Sequence, residues 1–201
     1  FKPACIGNFV WEDKNANSIQ DNGEEPINGA KVKLYKEDGT TPATKLDGGD
    51  AQQDTNATGN YHICNLRPGK YVVEITKPDN TNYYYTRASS NNDLDGANKD
   101  NDSNIRPELT QATSGKSVVV ELSSGEDDLT WDAGLFKPAC IGNYIWEDKN
   151  ANGIQDEDES GVSGVEITLT STDGANSKDL AGNNLPRTIT TENNGTYKFC
   201  N

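Results

Sequence analysis

Acidic and amide side chains recur at the spacing of calcium ligands in two short stretches of this chain. Residues 11–24 read WEDKNANSIQDNGE, and residues 146–159 read WEDKNANGIQDEDE. In a twelve-residue calcium loop, positions 1, 3, 5, 7, 9 and 12 supply the oxygens, with position 7 acting through its backbone carbonyl. The predicted ligands are Asp13, Asn15, Asn17, Ile19, Asp21 and Glu24 in the first stretch and Asp148, Asn150, Asn152, Ile154, Asp156 and Glu159 in the second. This spacing predicts one Ca²⁺ site in each stretch.

A solvated turn rich in Asn and Asp is the alternative interpretation of one such match. Recurrence of all six positions in register favours the metal site. The flanking segments are not helical, because residues 6–11 and 30–35 alternate apolar and polar side chains and Pro26 and Gly29 lie between them. The loops are therefore predicted to join strands.

Composition limits the classes of function. The chain has 201 residues, a formal charge of -14 and only 32% hydrophobic residues, so its cores must be small and need additional cross-links. The acidity argues against binding to nucleic acids or anionic membranes and favours divalent cations. The sequence has no apolar run long enough to span a bilayer, and neither a signal peptide nor an initiating Met, so we expect a piece of a longer mature polypeptide.

An internal repeat organises the chain. The sequence FKPACIGN occupies residues 1–8 and returns unchanged at residues 136–143. The similarity continues beyond the loops, where YHICN at residues 61–65 corresponds to YKFCN at residues 197–201. We therefore predict a complete first domain at residues 1–137 and the N-terminal half of a second, homologous domain at residues 138–201.

Period-two alternation predicts an all-β fold for this repeat. In residues 70–77, Tyr71, Val73 and Ile75 share one face, and in residues 116–122 Val118, Val120 and Leu122 do the same. No segment has helical periodicity. About seven short antiparallel strands with one buried face each predict a β-sandwich. The predicted strands are residues 5–11, 31–36, 60–64, 70–77, 83–88, 116–122 and 129–135.

The four cysteines repeat with the domains. Of the three possible pairings, the repeat favours the one that closes each domain on itself, Cys5–Cys64 and Cys140–Cys200. Such bridges indicate an oxidising, extracellular setting and would each stabilise a unit by about 4 kcal/mol in the chain-entropy model. Free thiols or a cysteine-based metal site are the alternatives. There is no Cys-x-x-Cys pair, and His62 is replaced by Lys198 in the second copy, which argues against zinc.

These motifs together resemble a known family. The similarity lies in the pattern IGN[FY][VI]WEDxNxNxIQDxxE, in the segment GxYxICNLRPGKY at residues 59–71 and in WDAG at residues 131–134. They are similar to the B domains of serine-aspartate-repeat (Sdr) surface proteins, within the wider collagen-adhesin B-type group of immunoglobulin-like sandwiches. The resemblance implies an extracellular, calcium-stiffened, tandemly repeated module. Two features depart from it: Ser18 stands where the second loop has Gly153, and the cysteines are not part of the usual family pattern.

A second acidic cluster lies at residues 91–104. Asp93, Asp95, Asp100 and Asp102 could bind another cation, with Asp127 or Asp128 contributing from the turn before the last strand. A disordered polar loop is the alternative. Because the similar B domains bind several calcium ions, the resemblance favours metal.

Two other kinds of chemistry receive less support. Members of the wider group often form a Lys–Asn or Lys–Asp amide cross-link, but the first strand has no lysine, and Lys33, with Glu74 and Asp132 as possible partners, falls on a polar face. The aromatic run at residues 83–85 could bind a sugar or could simply pack within a strand, and we expect packing. A hydrolase would need a nucleophile with its base or two carboxylates in a cleft, and neither pattern is present.

We therefore predict a non-enzymatic rod, stalk or filament module of a microbial cell-surface or secreted protein. The alternative is a ligand- or carbohydrate-binding accessory module of a secreted calcium-dependent enzyme. Expected partners are neighbouring identical or homologous repeats. The second domain would be completed either by a longer array or by strands of another chain in a homopolymer.

Overall fold

The computed structural model describes residues 1–79, 81–86, 101–105, 112–170 and 185–200. Contacts divide the chain into two units, Phe1–Lys137 and Pro138–Asn201. The described residues form strands and no helices, and no helix there is long and apolar enough to cross a membrane. The all-β prediction is confirmed.

The described residues of the first unit form nine strands in two sheets. One sheet has the order β4-β1-β9-β6, with β8 also pairing with β1, and the other has the order β3-β2-β5-β7. The strands are β1 (Ala4–Glu12), β2 (Lys31–Lys36), β3 (Gln52–Asp54), β4 (Asn60–Leu66), β5 (Gly69–Thr76), β6 (Tyr84–Tyr85), β7 (Ser114–Leu122), β8 (Asp127–Asp128) and β9 (Ala133–Phe136).

The core forms where the inward faces of these two sheets meet. Val73 and Ile75 of β5 are fully buried, as the alternation predicted, and Val119 of β7 is 45% exposed while Val120 and Leu122 are buried. The other sheet contributes Ile6, Val10, Ile63 and Leu135 among others to the same cluster. Each fully buried aliphatic side chain of this kind contributes roughly 1.5–3 kcal/mol, so the sandwich depends on this alternation.

The expectation of an entirely antiparallel sandwich is wrong at β1. This strand pairs antiparallel with β4, but parallel with β8 and with β9. The predicted last strand at residues 129–135 is also shorter than expected, since residues 129–132 are not in a strand and separate β8 from β9, which pair with different parts of β1. Period-two alternation identifies a strand and its buried face, but it carries no information about strand direction.

The second unit repeats the pairings of the first within its shorter length. Its strands are β10 (Cys140–Tyr144), β11 (Glu166–Leu169), β12 (Arg187–Thr190) and β13 (Thr196–Cys200), paired antiparallel as β10-β13 and β11-β12. Ile145 N–H donates to the Gly195 carbonyl at 2.9 Å, just as Val10 N–H donates to the Gly59 carbonyl at 2.9 Å. Equivalent sequence thus gives equivalent local structure.

Candidate metal centre

The first acidic loop begins where β1 ends. Asp13 N–H donates to the carbonyl of Leu135 in β9 at 2.8 Å, which attaches the start of the loop to the sandwich. Three residues of the loop have positive φ, Ala16 at 55°, Ser18 at 69° and Gly23 at 93°. These left-handed positions fold the chain back on itself, so the two ends of the loop come close together.

Backbone donors hold the two ends of this loop together. The Asp13 carboxylate accepts from the N–H groups of Asn17 at 3.1 Å and Ser18 at 2.7 Å. The Glu24 carboxylate accepts from Lys14 N–H at 2.8 Å and Asp21 N–H at 2.9 Å. The residues predicted at positions 1 and 12 therefore close the loop from opposite sides.

The two asparagines bridge the middle of the loop. Asn15 and Asn17 each donate a side-chain N–H to Oδ2 of Asp21 at 2.8 Å, and Asn17 Oδ1 accepts from Ile19 N–H at 2.7 Å. All five side chains predicted at positions 1, 3, 5, 9 and 12 are thus brought into one hydrogen-bonded group. Oxygen donors of this kind suit a hard cation such as Ca²⁺.

The second loop has the same contacts. Asn152 N–H and Gly153 N–H donate to Asp148 at 3.1 and 2.7 Å, and Lys149 N–H and Asp156 N–H donate to Glu159 at 2.9 and 3.1 Å. The two asparagines again donate to the position-9 carboxylate, Asn150 at 2.7 Å and Asn152 at 3.0 Å, and Ile154 N–H donates to Asn152 Oδ1 at 2.6 Å. Ala151 and Gly153 have φ of 57° and 74°. The repeated geometry follows from the repeated sequence.

The electrostatics of the first loop favour a bound cation. Asp13 is fully buried, and this burial raises its pKa, with the neighbouring charge of Glu24 acting in the same direction against the lowering effect of the backbone N–H groups. The lysine next to it does not compensate, since Lys14 Nζ donates to the carbonyl of Gly23 at 2.8 Å and approaches Glu25 at 3.6 Å. A divalent cation would supply the positive charge that favours an ionised Asp13 beside Glu24.

A compact group of Cys, His and acidic ligand atoms occurs elsewhere. Among the described residues, three such ligand atoms lie within 4.8 Å of one another, and they belong to Cys5, His62 and Cys64. The loop carboxylates do not form such a group, because the asparagine amides lie between them. Both sulfurs of this group are consumed in a disulfide, so the group is not a metal site as it stands. The structure has the disulfides Cys5–Cys64 and Cys140–Cys200, one within each unit.

Sequence reasoning missed that a distant segment is attached to the first loop. Residues 101–105, here called the strap, lie against residues 18–20 of the loop. Gln20 N–H donates to the Asn101 carbonyl at 2.7 Å, and Ser103 N–H donates to the Ser18 carbonyl at 3.0 Å. No local pattern could have indicated this contact, because about 80 residues separate the two segments.

The other side of the strap is attached to the end of the sandwich. Asn104 N–H donates to the Asp132 carbonyl at 3.0 Å, and Asp132 N–H returns a bond to Asn104 Oδ1 at 2.8 Å. Gly134 N–H donates to Ser103 Oγ at 3.2 Å, and Ile105 is fully buried in the core. The strap therefore connects the first loop to the segment that leads into β9.

The predicted second cation cluster is only partly described. Asp93, Asp95 and Asp100 lie outside the described residues. Asp102 is buried in the strap, where its backbone forms an isolated antiparallel β-bridge with Ile19 of the first loop. The suggested contribution of Asp127 or Asp128 stays a prediction, and β8 pairs with the Cys5–Ile6 end of β1 whereas the strap contacts the loop beyond the other end of that strand.

Two other candidate groups have structural roles. Tyr85 is fully buried and donates its hydroxyl to the Ile75 carbonyl at 2.6 Å, which is the expected strand packing. Lys33 lies opposite Glu74 in the register of β2 and β5 and stacks over Tyr35, whereas Asp132 accepts from Asn8 and Phe9. Lys33 and Glu74 are thus cross-strand neighbours, whereas Asp132 is bonded to β1 in the other sheet.

Comparison with known proteins identifies the family. The model of the SdrD B-like domain matches residues 4–135 and again residues 139–201. This chain belongs to the SdrD B-like domain family. It is 36% identical over 196 residues to serine-aspartate repeat-containing protein D of Staphylococcus aureus (strain Newman), and 35% identical over 204 residues to serine-aspartate repeat-containing protein I of Staphylococcus saprophyticus. The matches cover 96% and 98% of this chain, which spans only 12% and 9% of the length of those relatives.

Two solved structures have a distant likeness to this SdrD B-like chain. The match to the Bacillus anthracis TIE protein covers 99% of this chain and 26% of that protein, with a TM-score of 0.38 and 13% identity. The match to GBS52, the minor pilin of Streptococcus agalactiae, covers 68% of this chain and 45% of that protein, with a TM-score of 0.36 and 13% identity. Likeness at this level does not indicate a shared function.

Proposed function

We propose that this SdrD B-like chain is a calcium-binding tandem repeat of an extracellular stalk or adhesin, in which bound metal and one disulfide per unit compensate for a small core. The observation that carries the proposal is the pair of loops with matching hydrogen bonds, each grouping three carboxylates and two amides. In the first loop, Asp13 is a fully buried acid beside Glu24. Bound calcium would neutralise this charge and stabilise the folded loop.

Asp102 is a further proposed ligand. Its carboxyl-bearing side chain is only 1% exposed and lies in the strap beside Ile19, whose carbonyl is the proposed position-7 ligand. A carboxylate at this place would offer a further oxygen beside position 7 of the loop. Such a ligand would connect the strap to the loop through the cation as well as through the backbone.

The family and the cysteines support a location outside the cell. The relatives are staphylococcal serine-aspartate repeat-containing proteins, and the chain repeats one module in tandem as a stalk requires. The disulfides close segments of 59 and 60 residues, and bridges of this kind persist in oxidising compartments. Each would stabilise its unit by about 4 kcal/mol in the chain-entropy model. We propose that the described fold acts as a structural or adhesive repeat and not as an enzyme.

Calorimetric titration of the whole chain with Ca²⁺ tests the metal proposal. We expect dissociation constants of about 10⁻⁶ to 10⁻³ M. Glu24→Gln should abolish or strongly weaken binding to the first loop and leave the second intact, and Glu159→Gln should do the reverse. Glutamine keeps an oxygen for the Lys14 or Lys149 N–H, so each loop can still form without its position-12 charge.

Glu25→Gln is the matched control, because Glu25 is an exposed acid next to Glu24 and is not a proposed ligand. This variant should bind calcium like the unmodified chain. If Glu24→Gln and Glu159→Gln also bind like the unmodified chain, or if binding is weakened equally by Glu25→Gln, the loops are not specific calcium sites.

A further inference from the structure

An imidazole lies next to the disulfide of the first unit. His62 precedes Cys64 by two residues on β4, and its Nε2 atom lies 3.3 Å from Sγ of Cys64. The same nitrogen lies 2.8 Å from Oδ1 of Asp127 in β8. Because β8 runs parallel to β1 with Asp127 beside Cys5, three strands bring the carboxylate, the imidazole and the disulfide together.

The carboxylate determines which atom faces the sulfur. An ionised aspartate only accepts hydrogen bonds, so the imidazole nitrogen 2.8 Å from Asp127 carries a hydrogen. The same nitrogen lies 3.3 Å from the Cys64 sulfur, so its one hydrogen is shared between the carboxylate and the sulfur. A disulfide sulfur is a weak acceptor, but a thiolate at the same place would accept a charge-assisted hydrogen bond, which is roughly twice as strong as a neutral one.

We propose that the Cys5–Cys64 bridge is a thiol-exchange site for small-molecule thiols. A thiolate attacks Sγ of Cys5 and forms a new S–S bond, while the Cys5–Cys64 bond breaks and its electron pair goes to Sγ of Cys64. Cys64 leaves as a thiolate that accepts a hydrogen bond from His62 Nε2–H. The incoming thiol loses its proton to solvent before it attacks, and the Cys64 thiolate takes a proton from solvent afterwards. The products are therefore a mixed disulfide on Cys5 and a thiol at Cys64, and the incoming thiol is the only co-reactant. Exchange is faster when the leaving sulfur is stabilised.

The surroundings allow a small thiol to reach this bridge. The side chains of His62 and Asp127 are 46% and 53% exposed, and Cys5 and Cys64 are both half-buried. A thiol could thus approach from solvent, and the departing sulfur would still be next to its donor. The inference does not depend on calcium binding.

The second unit provides a matched reference in the same molecule. Lys198 takes the place of His62, since Gly142 faces Lys198 in the β10-β13 register as Gly7 faces His62 in β1-β4. The Cys140–Cys200 bridge has nearly the same sequence separation, and Cys140 is more exposed than Cys5. Access alone would therefore make the second bridge open first, whereas the imidazole contact predicts that the first bridge opens first.

Exposure of the oxidised chain to reduced glutathione tests the site. The reaction would be stopped with acid at intervals, new thiols alkylated, and both bridges followed by peptide mass spectrometry. We expect the first bridge to open before the second, with glutathione on Cys5 and the alkyl group on Cys64. His62→Leu, which has no side-chain donor, should slow the first bridge by about tenfold and leave the second unchanged, because the loss of a hydrogen bond to a charged group has about this effect.

Two further results decide the assignment. Asp127→Asn should also slow the first bridge, because the amide no longer fixes a hydrogen on Nε2, whereas Lys45→Gln, a change at another half-exposed surface side chain, should alter neither rate. Glutathione found mainly on Cys64, an earlier opening of the second bridge, or an unchanged rate in His62→Leu would each overturn the proposal. The rate at the second bridge shows in every sample whether a variant has altered the chain as a whole.

Discussion

Replacement of Asn104 by leucine should weaken the first unit and its loop together. Leucine is similar in size to asparagine but cannot accept the hydrogen bond that Asn104 Oδ1 receives from Asp132 N–H at 2.8 Å. Asn104 is fully buried, and this backbone N–H would lose its buried acceptor, which costs about 1–3 kcal/mol. We expect the free energy of unfolding of the first unit to fall by that amount.

The strap should transmit part of this loss to the loop. Asn101 and Ser103 of the strap bond to Gln20 and Ser18, so a loosened strap holds the loop less firmly. Amide hydrogen exchange of Gln20 should become faster in Asn104→Leu. Under the calcium proposal, the affinity of the first loop should fall and that of the second should not, because the strap bonds to the first loop.

Urea unfolding in chelator, hydrogen exchange and calcium titration measure these three effects. Asn101→Ala is the control, since Asn101 contributes only its backbone carbonyl to the Gln20 bond and should change stability by no more than about 0.5 kcal/mol. An unfolding free energy for Asn104→Leu equal to that of the unmodified chain would refute the reasoning about Asp132. A fall in stability with unchanged exchange at Gln20 would instead show that the strap does not hold the loop.

Three further predictions concern glycines, a turn carboxylate and the loop asymmetry. Gly29→Ala should lower the free energy of unfolding by about 1 kcal/mol, because its φ is 78° and the space around it is open. Gly59→Ala should lower it by about 1–3 kcal/mol more, because a Cβ there would lie 2.6 Å from a backbone carbonyl oxygen. Chemical denaturation of both variants measures the two losses, and equal losses would contradict the steric argument. A hydrogen bond from the Thr41 hydroxyl, together with two backbone N–H groups, lowers the pKa of Asp38 to about 2. Because this pKa is lower than that of an aspartate in the unfolded chain, the ionised Asp38 stabilises the fold at neutral pH, and this stabilisation is lost as pH falls from about 4 towards 2. NMR titration of that carboxyl checks the value, and a midpoint near 4 would contradict it. Ser18→Gly should tighten calcium binding in the first loop, and Gly153→Ser should weaken it in the second, each by about fivefold, because φ is 69° and 74° at these positions; unchanged affinities in titrations of both variants would exclude backbone strain as the cause.

The parts of this molecule that could be predicted from sequence are those determined by neighbouring residues. The alternation of Tyr71, Val73 and Ile75 places one face of β5 in the core, and the structure buries all three. The spacing from Asp13 to Glu24 likewise groups the loop side chains, since a turn of that length is closed by its own backbone. Such patterns depend on periodicity and on turn geometry, and both are local properties.

The parts that could not be predicted join distant residues. Asp127 bonds to His62 across 65 positions, and the strap bonds to the loop across about 80. The parallel pairing of β1 with β9 belongs to the same class. A single sequence records which residues alternate but not which strands meet, so these contacts had no signal that could have revealed them.

The central place of β1 has a consequence for how the first unit folds. Asn8 and Phe9 of this strand hydrogen-bond to Asp132 across 124 and 123 positions. The first strand of the unit is therefore bonded to residues near the end of the same unit. Pairings of this range give a high contact order, and closure of such long loops makes folding slow. The pairing of β1 with β4, and the Cys5–Cys64 bridge between them, requires only the first 66 residues. This pair of strands can therefore form while the rest of the domain is still being made, and it can hold β1 in register until β9 arrives to close the sheet.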